Sequence, residues 1–129
     1  MEEQKPRADS RARFVVGTVV HSLAFVAFLA AMLFGITAIF TYAQGSVSEE
    51  PFEGFGTAFG AVILFIVFLI SGGIHQILGY IGIPILFPCR VTESRVRRTA
   101  ARVLIISQAV ALALDFVLFA AILLIFRAS

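Results

Sequence analysis

The stretch that decides the fold is TAFGAVILFIVFLISGGIHQILGYIGIPILF, Thr57–Phe87, which contains no acidic residue, lysine or arginine. About 20 consecutive apolar residues are enough for a helix to cross the hydrocarbon core of a bilayer. Two comparable runs flank this one, since residues 14–42 lack such charges and residues 103–126 contain only Asp115. The sequence therefore predicts an all-α, polytopic integral membrane protein with three transmembrane helices.

The composition supports a single membrane domain. The chain has 129 residues, of which 60% are hydrophobic and 14% are charged. These charges are too few to cover the surface of a soluble domain. We predict a basic cytoplasmic-side tail at 1–13 and one three-helix transmembrane domain at 14–127, with spans near 14–43, 57–88 and 99–127.

The second span is longer than one crossing requires. At about 1.5 Å per residue, Thr57–Phe87 would extend roughly 46 Å as a helix. It is therefore either one tilted helix or a segment broken at Gly72 and Gly73 into a re-entrant hairpin. Backbone that turns back within lipid must be shielded by protein, which favours the single helix. We expect Pro84 and Pro88 to mark its kinked or frayed end.

The basic residues predict the orientation. The N-terminal tail has four of them and residues 89–102 have five, whereas the 44–56 loop has only the acidic Glu49, Glu50 and Glu53. Lysine and arginine accumulate in cytoplasmic loops. The N-terminus is thus expected on the cytoplasmic side and the C-terminus on the opposite side.

The same bias accounts for the net charge of +2 without a nucleic-acid partner. The basic residues flank apolar runs, as expected of loops that set topology. The connection between the second and third spans is also a candidate site for anionic lipid headgroups. Its candidate residues are Arg95, Arg97, Arg98 and Arg102.

Each predicted helix has one face of small or polar residues. In the first span this face includes Gly35, and in the second it includes Gly72, Gly79 and Gly82. Glycine allows the backbones of two membrane helices to approach closely, so we predict helix packing through these four glycines. The bulky side chains, with Phe25, Phe65, Phe68 and Phe119 as examples, are expected to face lipid.

Four polar residues on these faces are the candidate functional residues. His21 and His75 could ligate the iron of haem b, because imidazole is a common axial ligand and glycine leaves room for a porphyrin. Asp115 lies near the middle of the third span, where a carboxyl group is usually paired, protonated or functional. Gln108 lies two turns earlier on the same face, so the two form a candidate buried polar or proton site. No catalytic or metal-binding motif is recognised.

The size, the three spans, the basic tail and the late position of His75 in the second span are similar to the three-helix membrane anchors of succinate dehydrogenase and fumarate reductase. That resemblance implies an anchor that binds haem or quinone. The first span departs from the serine, histidine and arginine quinone signature of those anchors, because no arginine follows Val20-His21-Ser22.

Three functional hypotheses follow. The leading one is a non-enzymatic membrane subunit or scaffold that packs in the bilayer with other membrane subunits or as a homo-oligomer. The second is a haem- or quinone-binding anchor of an electron-transfer complex that uses His21 and His75. The third is a proton-coupled oligomeric transporter or channel subunit that uses Asp115.

Overall fold

A computed structural model describes the backbone of residues 5–46 and 51–128 and the side chains of residues 11–44 and 56–128. The chain forms three α-helices: α1 (Lys5–Ser46), α2 (Pro51–Leu86) and α3 (Arg95–Ala128). A short 3₁₀ helix (Phe87–Val91) follows α2. The predicted acidic loop residues Glu49 and Glu50, the side chain of Glu53 and the side chains of the tail up to position 10 lie outside the described residues.

The predicted membrane class is confirmed. Three segments are long and apolar enough to span a bilayer: Arg11–Gln44, Gly56–Val91 and Arg95–Ala128. Large aliphatic side chains are exposed on every helix, for example Leu29 at 66%, Ile70 at 59% and Val117 at 64%. Such a surface is suited to lipid rather than to water.

The long second span is one helix, as the sequence analysis favoured. α2 continues through Gly72 and Gly73, and no described glycine has a positive φ. It also continues past Pro84 and changes to the 3₁₀ helix only at Phe87. A continuous helix keeps backbone hydrogen bonds within the segment, which lipid requires.

Apart from the adjacent Ala111 and Leu112, the buried residues of each helix recur at spacings of three, four or seven, the 3.5-residue period of helices that pack side by side. We call these residues the seam of each helix. The α1 seam contains Gly17, His21, Ala24, Ala31, Gly35 and Ala38. The α2 seam contains Ala61, Phe68, Gly72, His75, Gly79, Gly82 and Leu86. The α3 seam contains Ala101, Gln108, Ala111, Leu112, Asp115 and Ile122.

Contacts divide the chain into two compact units. The first unit comprises the α1 residues up to Val26 together with Ile74–Leu112. Its apolar core is formed by Leu86, Cys89 and Ala101, with Phe14 and Leu104 among the half-buried residues packed against them.

The second unit comprises Ala27–Gly73 and the α3 residues from Ala113 onward. Its apolar core is Ala31, Phe68 and Ile122. Aromatic side chains surround this core, and the Phe126 ring lies 4.8 Å from that of Tyr42 and 5.3 Å from that of Phe65 between centroids.

The expectation that the phenylalanine-rich side faces lipid is wrong for Phe68. This side chain is only 2% exposed, and Phe65 and Phe119 pack against the same core. The reason is the glycine opposite it. A Cβ atom on Gly35 would lie 2.9 Å from Phe68 Cδ2, so the ring occupies the space that this glycine leaves.

Candidate functional site

Four polar side chains are buried in the seams. His21, His75 and Gln108 are fully buried, and Asp115 is 4% exposed. The first three belong to the first unit and Asp115 belongs to the second. Polar groups in a membrane interior are costly unless protein groups surround them, and all four lie inside rather than on the lipid-facing surface.

His75 and Gln108 form a hydrogen bond between α2 and α3. Their Nε2 atoms are 2.7 Å apart. The amide N–H of Gln108 donates, so the Nε2 of His75 accepts and its ring carries the proton on Nδ1. A polar bond between membrane helices contributes about 0.6–2 kcal/mol and fixes the register of the pair.

His21 is held against α2 by the absence of a side chain at Gly82. Its Nδ1 lies 3.0 Å from the carbonyl oxygen of Gly17, and this N–H donates because a carbonyl can only accept. A Cβ atom on Gly82 would lie 2.6 Å from Nδ1. The Nε2 of His21 is buried and receives no hydrogen bond from any described residue.

Gly79 provides the corresponding space for Gln108. A Cβ atom on Gly79 would lie 2.6 Å from Gln108 Nε2 and 3.0 Å from Leu112 Cδ2. Gly79 and Gly82 are three residues apart on one helix face, where Cβ positions are about 5–6 Å apart. The His21 ring and the Gln108 amide therefore lie on one patch of α2.

Asp115 occupies an analogous position in the second unit. A Cβ atom on Gly72 would lie 3.1 Å from Asp115 Oδ1 and 3.3 Å from Oδ2. The carboxyl group thus packs directly on the α2 backbone, and any side chain at position 72 would press on it. Gly72, like Gly35, Gly79 and Gly82, is a point of close contact between helices.

The two histidines face different neighbours. The ring of His75 faces Gln108 and that of His21 faces Gly82 and the Gly17 carbonyl. The spaces at Gly79 and Gly82, where a porphyrin would need room, are filled by side chains of the chain itself. The arrangement therefore does not favour haem ligation by this pair. No group of three histidine, cysteine, aspartate or glutamate residues that could hold a metal ion occurs among the described side chains.

The sequence analysis missed Thr18, one turn before His21. Hydroxyl groups at Ser22, Thr37 and Ser71 donate to the carbonyl four residues earlier, at 2.8, 2.6 and 2.8 Å. The Thr18 hydroxyl is buried and has no such partner within the described residues. Its position three residues from a buried histidine is the signal that could have identified it.

The arginine cluster lies at the start of α3. Arg95 and Arg102 are exposed, and Arg97 and Arg98 are half-buried. Before them, the Arg90 guanidinium lies 4.0 Å from the centroid of the Phe87 ring, a cation–π contact that the sequence analysis also missed.

Comparisons with models of protein families, with curated proteins and with solved structures return no match.

Proposed function

We propose that this protein is a small, non-enzymatic helical membrane subunit that packs with copies of itself or with larger membrane partners. The observation that carries this proposal is the distribution of residues. Each helix uses its small and polar seam within the chain and carries bulky aliphatic residues outside. Such a chain forms a self-contained apolar module.

Because the seams are used internally, a partner helix must bind the outer surface. Gly73 is well placed for such an approach. It is exposed on α2, and a Cβ atom built there has nothing within 4 Å. A glycine on a lipid-facing surface lets another helix backbone come close. The neighbouring Ile77, 61% exposed, would lie in the same contact.

Mass measurement on particles extracted from the membrane with surrounding lipid tests the proposal. We expect more than one copy per particle, or a second protein at fixed stoichiometry. The Gly73→Leu variant should fold and lose this association. A cysteine introduced at Ile77 should cross-link between copies or to the partner. A cysteine introduced at Leu29 on α1 should give a lower yield of cross-linked product. A chain that remains alone at every protein-to-lipid ratio would refute the proposal.

A specific observation favours a second candidate, a proton-linked membrane protein that uses Asp115. A carboxyl group in mid-membrane costs a few kcal/mol on insertion scales. Here it is 4% exposed and packed directly against Gly72. Helix packing alone does not require an acid at this position, since an apolar residue would fill it without that cost.

Reconstitution into liposomes that contain a pH-sensitive dye tests the second candidate. We expect proton flux in the wild type and its loss in Asp115→Asn, which preserves the shape of the side chain. The unfolding temperature of the variant should match that of the wild type. Flux equal to that of protein-free liposomes would eliminate this candidate and leave the subunit proposal intact.

The proposed orientation places the N-terminus and the arginine cluster on the cytoplasmic side. The five basic residues at 89–102 support it. The contact of Arg90 with Phe87 supports an interfacial position, because it places a cation beside an apolar ring. Arg95, Arg97, Arg98 and Arg102 would then lie within reach of anionic headgroups.

A further inference from the structure

The first unit contains buried polar atoms that have no hydrogen-bond partner among the described residues, and these include Thr18 Oγ1, His21 Nε2 and Gln108 Oε1. His21 and Gln108 are fully buried. A buried polar group without a hydrogen bond is costly, so such atoms are rare unless something else satisfies them. The presence of these three atoms in one small unit indicates that a bound molecule, here called the guest, satisfies them.

The three atoms come from neighbouring positions. Thr18 and His21 are three residues apart on α1, which places them side by side on the helix surface. The His21 ring lies where a side chain at position 82 would begin. The Gln108 amide lies where a side chain at position 79 would begin. These glycines are also neighbours on α2, so the His21 ring and the Gln108 amide lie over one turn of that helix, and Thr18 lies beside His21 on α1.

The chemistry of the three atoms defines the guest. His21 Nδ1 donates to the Gly17 carbonyl, so in the uncharged ring Nε2 is left as an acceptor. Gln108 donates to His75, and its Oε1 can only accept. The Thr18 hydroxyl can donate. The guest must therefore donate twice and accept once.

We propose that the first unit binds a structural water molecule between Thr18, His21 and Gln108. Water is the smallest molecule that supplies two donors and one acceptor, and buried waters make about three hydrogen bonds each. It would accept from Thr18 and donate to His21 Nε2 and Gln108 Oε1. A metal cation is a poor fit, because its protein ligands would be one imidazole nitrogen, one amide oxygen and one hydroxyl oxygen, none of which carries a negative charge.

The site completes a continuous hydrogen-bonded chain from the Gly17 carbonyl through His21, water and Gln108 to His75. It also explains why Thr18 differs from the other hydroxyl residues of the spans. Thr18 directs its hydroxyl to the guest, whereas Ser22 and Thr37 bond their own helix. This site depends on neither proposed function, because it requires only the fold of the first unit.

Solid-state nuclear magnetic resonance of the full chain in lipid bilayers tests the proposal. The two histidines are labelled with ¹⁵N, and magnetisation is transferred from water to the rings. We expect transfer to His21, with Nε2 as the unprotonated nitrogen. Thr18→Val should reduce this transfer about twofold or more, since it removes one of three hydrogen bonds to the water. Thr18→Ser, which keeps the hydroxyl, should retain it.

The matched control is Thr37→Val on the same helix, whose hydroxyl is exposed and bonded to the Leu33 carbonyl. It should leave the His21 signal unchanged. The absence of a His21 signal above noise in the water-transfer spectrum of the wild type would overturn the proposal. Equal effects of the two valine variants would also overturn it. The wild-type measurement decides the matter even if Thr18→Val does not fold.

Discussion

At the scale of single residues, the seam glycines act by leaving room for particular side chains. Gly35 receives Phe68 and Leu118, Gly79 receives Gln108 and Gly82 receives His21. Gly72 likewise receives the Asp115 carboxyl group, whereas a Cβ atom on Gly73 or Gly56 would meet nothing within 4 Å. Glycine content alone is therefore a poor guide to packing, and the opposing side chain has to be known.

The first prediction contrasts two glycines of α2. Gly79→Leu should lower the free energy of unfolding by about 1–3 kcal/mol, because a larger side chain must displace Gln108 and Leu112. Gly73→Leu should leave the stability of the single chain nearly unchanged. Thermal unfolding of both variants in the same detergent measures the difference. Equal losses would contradict the assignment of Gly79 to the seam.

The second prediction tests the corrected position of Phe68. Phe68→Ala should leave a cavity beside Gly35 and Ala31 and lower the stability of the fold. The loss should be on the order of 1–2 kcal/mol, below the about 3–5 kcal/mol of water-soluble cores, since lipid also solvates the ring in the unfolded chain. Phe116→Ala, at a position 56% exposed, is the control. A mild Phe68→Ala together with a severe Phe116→Ala would reverse the assignment.

At the scale of elements, α2 contains two features that usually end helices. The Gly72-Gly73 pair remains helical, as does the chain at Pro84. Proline has no N–H, so Pro84 cannot donate to the Tyr80 carbonyl four residues earlier. Pro88 lies instead at the start of the 3₁₀ helix, where its missing N–H is less costly.

The third prediction compares these two prolines. Pro84→Ala should stabilise the protein, because the new N–H can reach the Tyr80 carbonyl in a setting without water. The cost of proline in a helix interior is about 3 kcal/mol in water-soluble hosts, so a gain of about 1 kcal/mol or more is expected. Pro88→Ala should change little. Urea-free thermal unfolding monitored by circular dichroism compares them, and a destabilising Pro84→Ala would contradict the prediction.

Much of this element structure could be predicted from the sequence. The charge-free runs predict three spans because a bilayer selects for length and apolarity. The orientation of Phe68 could not be predicted in this way. Phe68 shares the 3.5-residue period of the buried Gly72 and His75. The prediction, however, assumed that small residues pack against each other, and this assumption assigns a phenylalanine to the lipid-facing side.

The candidate site could also be predicted only in part from the sequence. Burial of His21, His75, Gln108 and Asp115 follows from the cost of polar groups in lipid. Their partners do not, because the choice between Gln108 and a second histidine as the neighbour of His75 depends on how far each helix is rotated and shifted. A single sequence contains no measure of that shift.

At the scale of the whole molecule, every lysine and arginine lies outside the spans or at their ends. Residues 89–102, where the second span ends and the third begins, contain five basic residues, and Arg127 alone lies near the C-terminus. Asymmetry of this kind sets the direction in which a membrane protein inserts. The arrangement is testable without knowing the partner or the function.

The fourth prediction concerns this orientation. Alkaline phosphatase fused after Ser129 should be active in a bacterial host, because the enzyme folds only outside the cytoplasm, and a fluorescent protein fused there should be dark. A cysteine introduced at Ser48 should react with an impermeant reagent from the outside. Labelling of that cysteine only after the membrane is opened would contradict the proposed topology.

The seam glycines also have a consequence for how the gene can vary. Every missense change at a glycine codon enlarges the side chain. Any substitution at Gly17, Gly35, Gly79 or Gly82 would therefore press a larger side chain against a residue of the neighbouring helix. Exposed positions such as Leu29 and Val117 can exchange leucine, isoleucine and valine without meeting another helix. Populations of this gene should therefore accumulate aliphatic interchange on the outside while these four codons stay fixed, and a library selected for folding should show the same division.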